Sequence, residues 1–89
     1  MVSNNREQLQ FEVHEGGETA YLQYRFHDGL IWLMHTEVPK TLEGKGVAST
    51  LAKYALEWAG ENHFKVKVVC PFVAAFLKRH PEYNSVVEN

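Results

Sequence analysis

The chain has 89 residues, with 9 Lys plus Arg against 11 Asp plus Glu, one cysteine, 45% apolar residues and 12% aromatic residues. A domain this small hides only about 60 to 65% of the surface its unfolded chain exposes, so one core must take nearly every large apolar side chain; residues 1–89 are expected to make a single domain, with no room for a second. A net charge of −2 with interspersed signs argues against a polyanion-binding surface, the single thiol excludes an intrachain disulfide or a multi-thiolate metal site, and the longest apolar run, residues 30–34, is far shorter than the roughly 20 residues that cross a bilayer.

Residues 9–26 alternate loosely, with Leu9, Phe11 and Val13 on one parity and Ala20, Leu22, Tyr24 and Phe26 on the other. The interruption at Glu15-Gly16-Gly17-Glu18 makes this two strands and a hairpin. A second turn signal, His27-Asp28-Gly29, precedes residues 30–38, which are apolar on both parities before turning polar at His35, Thr36 and Glu37; a third, more central strand is predicted there. Pro39 ends it, because proline has no N–H for the ladder and holds its predecessor extended. After Gly44-Lys45-Gly46, the positions Val47, Leu51, Tyr54, Ala55 and Trp58 share one face at helical spacing, and Gly60 sits where a helix commonly stops. Residues 64–70 are rich in valine and predict a fourth strand ending at Cys70. Pro71 opens a second helix that closes on Lys78-Arg79, whose charges suit a helix C-terminus, with Pro81 just beyond. The expected architecture is α+β, a mainly antiparallel sheet in the order β-β-β-α-β-α.

Three segments could carry chemistry. Two glycines at a helix start let backbone N–H groups converge on an anion, and the helix dipole adds attraction for negative charge; Gly44-Lys45-Gly46 suits a phosphate cradle, and it suits a plain tight turn as well. It is neither a dinucleotide fingerprint, since Ser49 stands where the third glycine belongs, nor a P-loop, since Lys45 is followed by glycine. Cys70, just ahead of a helix start, reads either as a partly exposed thiol whose thiolate the dipole favours or as a small buried hydrophobe. If the third and fourth strands are neighbours, His35 and Cys70 could face one site with the imidazole and thiol that general-base or nucleophilic chemistry needs; alone, His35 reads as a satisfied strand histidine. Glu37 shares the strand face of His35 and could act as a base or hold a cationic amine. His14, His27, His63 and His80 lack ligand spacing, and no metal site is expected.

Taken together, Val38-Pro39, Leu42-Glu43-Gly44-Lys45-Gly46-Val47-Ala48 ahead of a helix, Val68-Val69-Cys70-Pro71-Phe72, and the closing Phe76-Leu77-Lys78-Arg79-His80-Pro81-Glu82-Tyr83 form a specific series. With these motifs the chain resembles the GNAT superfamily of acetyl-CoA-dependent acetyltransferases, and more closely its minimal single-domain GNAT-like members marked by Cys-Pro-Phe or Cys-Pro-Tyr. The resemblance covers about residues 8–84.

That resemblance implies a GNAT-like α/β fold with splayed central strands, acetyl-CoA or CoA as co-substrate, and transfer of the acetyl group to an amine that the sequence does not name. The family's cofactor loop, Arg or Gln, two residues, Gly, one residue, Gly or Ala, lands on Glu43, Gly46 and Ala48. Glu43 departs from it, and because an acid would repel a pyrophosphate, its side chain is expected to point to solvent. The implied cofactor contacts are Val38, the segment Glu43, Gly44, Lys45, Gly46, Val47, Ala48 and Ser49, and the aromatic residues Phe72 and Phe76. Cys70 and His35 are the implied catalytic pair, working by direct transfer, with His35 as base and Cys70 serving the departing sulfur, or through a Cys70 acyl intermediate. A backbone N–H on the open strand edge would polarise the thioester carbonyl. The expected protein is a cytoplasmic monomer whose partners are acetyl-CoA and a small-molecule or protein amine, with no nucleic acid and no membrane. A non-catalytic CoA-binding or protein-interaction module with the same fold is the alternative.

Overall fold

Four strands, β1 (Val2–Asn5), β2 (Gln10–Glu15), β3 (Glu18–His27) and β4 (Leu30–Glu37), are followed by α1 (Val47–Glu61), β5 (Lys65–Val68) and α2 (Pro71–Arg79) in the computed structural model, which describes residues 1–88. They form one sheet in the order β1-β2-β3-β4-β5. The first three junctions are antiparallel and β4–β5 is parallel, with α1 as the crossover that a parallel pair requires. The α+β, mainly antiparallel architecture is therefore present, with one strand more than the sequence indicates. Strand β1 carries a single apolar residue, so no periodicity announces it; it forms by laddering onto β2, with Val2 opposite Val13, and the Tyr24 hydroxyl donates to Asn4 Oδ1 at 2.7 Å.

Phe11, Leu22, Ile31 and Leu33 cover the inner face of the sheet, and Leu51 and Leu56 of α1 and Val73 of α2 pack on them, all fully buried. The inner face of α1 is turned from the one its spacing suggests. Ala52, Ala55 and Ala59 are buried with Leu51 and Leu56, which lets the helix lie close to the sheet, while Tyr54 and Trp58 stay half-buried at its flank with their rings 5.5 and 5.9 Å from that of Phe11. The helix also runs through Gly60 to Glu61. Gly60 is a packing position, since a Cβ there would stand 3.2 Å from Val86 Cγ1, and the chain reverses at His63 with φ 63°. Beyond α2 a 3-10 turn, Pro81–Val86, brings Val87 beside Val66 on the outer edge of β5, where the Glu88 N–H donates to the Val66 carbonyl at 2.8 Å.

Strand β4 positions the site. Its register with β3 shifts: Tyr24 pairs with Leu33, whereas Gln23 pairs with His35, so Met34 is an extra, bulged residue. Ile31 and Leu33 face the core, and unbroken alternation would send His35 inward after them. The bulge exchanges the parity, so that Thr36 is buried and His35 and Glu37 project from the opposite face, exposed. At the same place β5 leaves. The last parallel pair is Leu33 with Val68, and the N–H groups of Val69 and Cys70 both donate to the Leu33 carbonyl at 3.0 Å, while β4 stays paired with β3 as far as Glu37. The central strands are splayed from Met34 onward.

Candidate active site

A cavity of about 430 Å³ opens where β4 and β5 part. Because the β4 edge has lost its neighbour there, consecutive residues of the strand line one space: His35 and Glu37, which project from the outer face, and Thr36 between them, which faces inward. Val38, residues of the loop into α1, and Phe72 at the start of α2 complete the wall.

The loop owes its course to local rules. Pro39 leads into a 3-10 turn, Lys40–Leu42, pinned by the buried Leu42. Gly44 and Gly46 then take φ of 80° and 75°, the left-handed region that costs a glycine little and a branched residue most. Among the described residues, no atom beyond the adjoining residues lies within 4 Å of where either Cβ would stand, so backbone conformation and not crowding requires glycine. The first helical bond of α1 runs from the Thr50 N–H to the Gly46 carbonyl at 3.0 Å, which leaves the N–H groups of Val47, Ala48 and Ser49 without an acceptor in the helix at the positive end of its dipole. Arg79, from the last turn of α2, donates to Ser49 Oγ at 3.3 Å and adds a full positive charge. Free donors and a cation fit a pyrophosphate, and Phe72, 54% exposed, offers apolar surface to the rest of a CoA-like ligand.

Residues 10–86 match a family described as GCN5-related N-acetyl-transferase. The chain belongs to that family. It is 34% identical over 83 residues to Protein NATD1 of Mus musculus, covering 90% of this chain and 76% of the mouse protein, and 35% identical over 83 residues to Protein NATD1 of Bos taurus, covering 90% and 74%. The fold is similar to the solution structure of a GCN5-like candidate N-acetyltransferase from Staphylococcus aureus, with a TM-score of 0.76 and 29% identity over all of this chain and 88% of the other.

In this GCN5-related domain the cavity gathers most of the expected cofactor positions: Val38, Glu43, Gly44, Gly46, Val47, Ala48, Ser49 and Phe72 all line it. Glu43 is exposed as well. Two positions lie elsewhere. Lys45 turns away to the β2–β3 hairpin, where Nζ meets Glu15 Oε2 at 3.3 Å, and Phe76 is buried beneath His80 and Tyr83, with ring centroids 4.3 and 5.7 Å away. Sequence reasoning missed Leu42, and it read Arg79 only as helix-end compensation; nothing local to Arg79 signals a contact with a residue 30 positions earlier.

The expected contact between His35 and Cys70 is not formed. Cys70 is fully buried, without the partial exposure that a dipole-activated thiol needs, and its Sγ lies 3.1 Å from Thr36 Oγ1. His35 stands on the other face of β4, where Nε2–H donates to Glu37 Oε1 at 2.9 Å and the ring meets that of Tyr21 edge-on at 6.3 Å. The bulge at Met34 is the cause, since it sends the histidine outward and the threonine to the thiol. The imidazole hydrogen bond also selects a tautomer: with Nε2 protonated, the neutral ring carries its lone pair on Nδ1.

Proposed function

We propose that the protein is an acetyl-CoA-dependent N-acetyltransferase that binds its donor along residues 43–49 and acetylates an amine at the open end of β4. One observation carries the reading: the unpaired N–H groups at the start of α1 and the His35–Glu37 pair share a single cavity. The N–H groups of Val47, Ala48 and Ser49, with Arg79, hold the phosphates. Phe72 and Val38 cover the apolar arm. Acetyl-CoA supplies the activated acyl group, and an amine must be neutral at nitrogen to accept it. His35 takes up the amine proton at Nδ1, held in that tautomer by Glu37. The full burial of Cys70 behind Thr36 supports direct transfer over a Cys70 acyl intermediate.

The test is a thermal-shift titration with acetyl-CoA followed by mass spectrometry of released CoA over a panel of amines. Ligand at one hundred times its dissociation constant should stabilise the fold by about 2.7 kcal/mol. No shift at millimolar ligand would remove the donor site. A shift without CoA release for any amine would favour the second reading, a CoA-binding module that transfers nothing, for which the separation of His35 from Cys70 is the supporting observation.

A further inference from the structure

Thr36 is the residue that touches both the buried thiol and the donor cavity. Its Oγ1 is 3.1 Å from Cys70 Sγ, and the residue, only 5% exposed, is one of those that line the cavity. Cys70 contributes nothing to that wall. We infer that the Thr36 hydroxyl, and not the Cys70 thiol, is the group that meets the departing sulfur, with Cys70 acting through it as a positioning residue. This rests on the acetyltransferase reading above.

The argument is one of donors and acceptors. A hydroxyl has one proton and two lone pairs, and a thiol has one weakly donated proton. The pair can be joined in two ways. If Thr36 donated to sulfur, the hydroxyl proton would be spent on a weak acceptor in a dry place. If Cys70 S–H donates to Oγ1, the buried thiol proton is satisfied and the hydroxyl proton is free to turn toward the cavity. The second arrangement leaves no donor of the pair unused when a charge develops there. It also gives a small buried cysteine a function that needs no exposure: it fixes one rotor of Thr36 and polarises the O–H bond.

The step balances without proton transfer from either residue. The amine nitrogen forms its bond to the acetyl carbon, the C–S bond breaks with its electron pair passing to sulfur, and the amine proton goes to His35. The Thr36 O–H stabilises the resulting thiolate as a hydrogen bond to a charged group, and the thiolate takes its proton from water after release. Hydrogen bonds of that kind correspond to about a tenfold to hundredfold change in rate.

Because the chain has one cysteine, infrared spectroscopy shows a single S–H stretching band, and that band reads the hydrogen bond without any donor bound. In the wild-type protein it should lie at the lowered frequency of a donating thiol and move up in Thr36→Val. A band that stays put would overturn the arrangement, because it would mean that the thiol does not donate to Thr36. In transfer assays Thr36→Val should lose about tenfold to a hundredfold in turnover, Thr36→Ser should recover most of it, and CoA-induced stabilisation should change less than twofold in apparent affinity. Cys70→Ala, which frees the rotor but leaves the hydroxyl, should cost less than Thr36→Val; the opposite order would put the thiol itself at the sulfur and overturn the inference. Should Thr36→Val fail to fold, the wild-type band and the ordering of Thr36→Ser against Cys70→Ala decide the same question. Failure of the acetyltransferase reading is separately visible, as absence of CoA stabilisation in the wild-type protein whatever the S–H band shows.

Discussion

The guanidinium of Arg79, at the end of α2, donates to the hydroxyl of Ser49, in the first turn of α1, at 3.3 Å. The C-terminus of one helix thereby delivers a cation to the N-terminus of another, where unpaired N–H groups already favour negative charge. Arg79→Gln should weaken CoA binding by about threefold to tenfold at low salt, and the deficit should shrink as salt rises because Arg79 is exposed and its field is screened. Calorimetric titrations at two ionic strengths measure both effects. Equal affinities at low salt would take Arg79 out of the phosphate site.

Gly46 and Gly17 make a matched pair for testing the loop. Both have positive φ, 75° and 78°, and among the described residues neither has an atom beyond its chain neighbours within 4 Å of its missing Cβ, so valine at either position carries a similar backbone penalty of about 1 to 3 kcal/mol. Only Gly46 lines the cavity. Both variants should melt lower than the wild-type protein, and only Gly46→Val should lose its CoA-induced thermal shift. A normal shift in Gly46→Val would show that the phosphates do not approach that backbone.

His35→Gln keeps a hydrogen-bonding side chain beside Glu37 but offers no ring nitrogen to a proton. Turnover should fall by about 10² to 10⁴, with CoA stabilisation retained, since the proposed phosphate contacts come from the start of α1 and not from β4. Glu37→Gln should be milder, about tenfold or less, because it loosens the tautomer without removing the base. If Glu37→Gln is the more damaging of the two in stopped assays of CoA release, the carboxylate is the base.

Glu12 sets an acid limit on stability. The residue is 7% exposed on the outer face of the sheet and accepts from Asn5 Nδ2 at 3.0 Å, Gln10 Nε2 at 2.6 Å and His14 Nε2 at 2.9 Å. Burial pushes its carboxyl up, but the hydrogen bonds from Gln10, Asn5 and His14 outweigh burial and hold it below the ordinary 4.5. A folded-state pKa below the unfolded one means stability that is complete above that ordinary value and is lost as pH falls through the lowered one. Glu12→Gln should therefore cost about 1 to 2 kcal/mol at pH 7, and the gap to the wild-type protein should close in urea melts as pH falls below 4.5. A gap that is constant with pH would mean that the carboxylate charge is irrelevant to the fold.

The sequence by itself determined what depends on neighbours along the chain. The Glu15-Gly16-Gly17-Glu18 hairpin, the end of β4 at Pro39, the two left-handed glycines before α1, and Pro71 at the head of α2 all follow from the φ preferences and periodicity of a few consecutive residues. Those signals were enough to bring the family into view, and residues 43–49, Lys45 apart, line the cavity at the start of α1. Tertiary structure decided the chemistry on β4. A single bulged residue, Met34, set in the β3–β4 pairing beside the point where β5 departs, reverses which face His35 and Thr36 occupy. No reading of residues 30–38 alone contains that reversal, because both registers satisfy the local pattern equally. The Thr36–Cys70 and Ser49–Arg79 contacts span 34 and 30 residues, and β1 forms on backbone pairing with almost no side-chain signal. Their partners are fixed only when the sheet and helices pack, since a hydrogen bond between distant residues leaves no periodic trace in either segment.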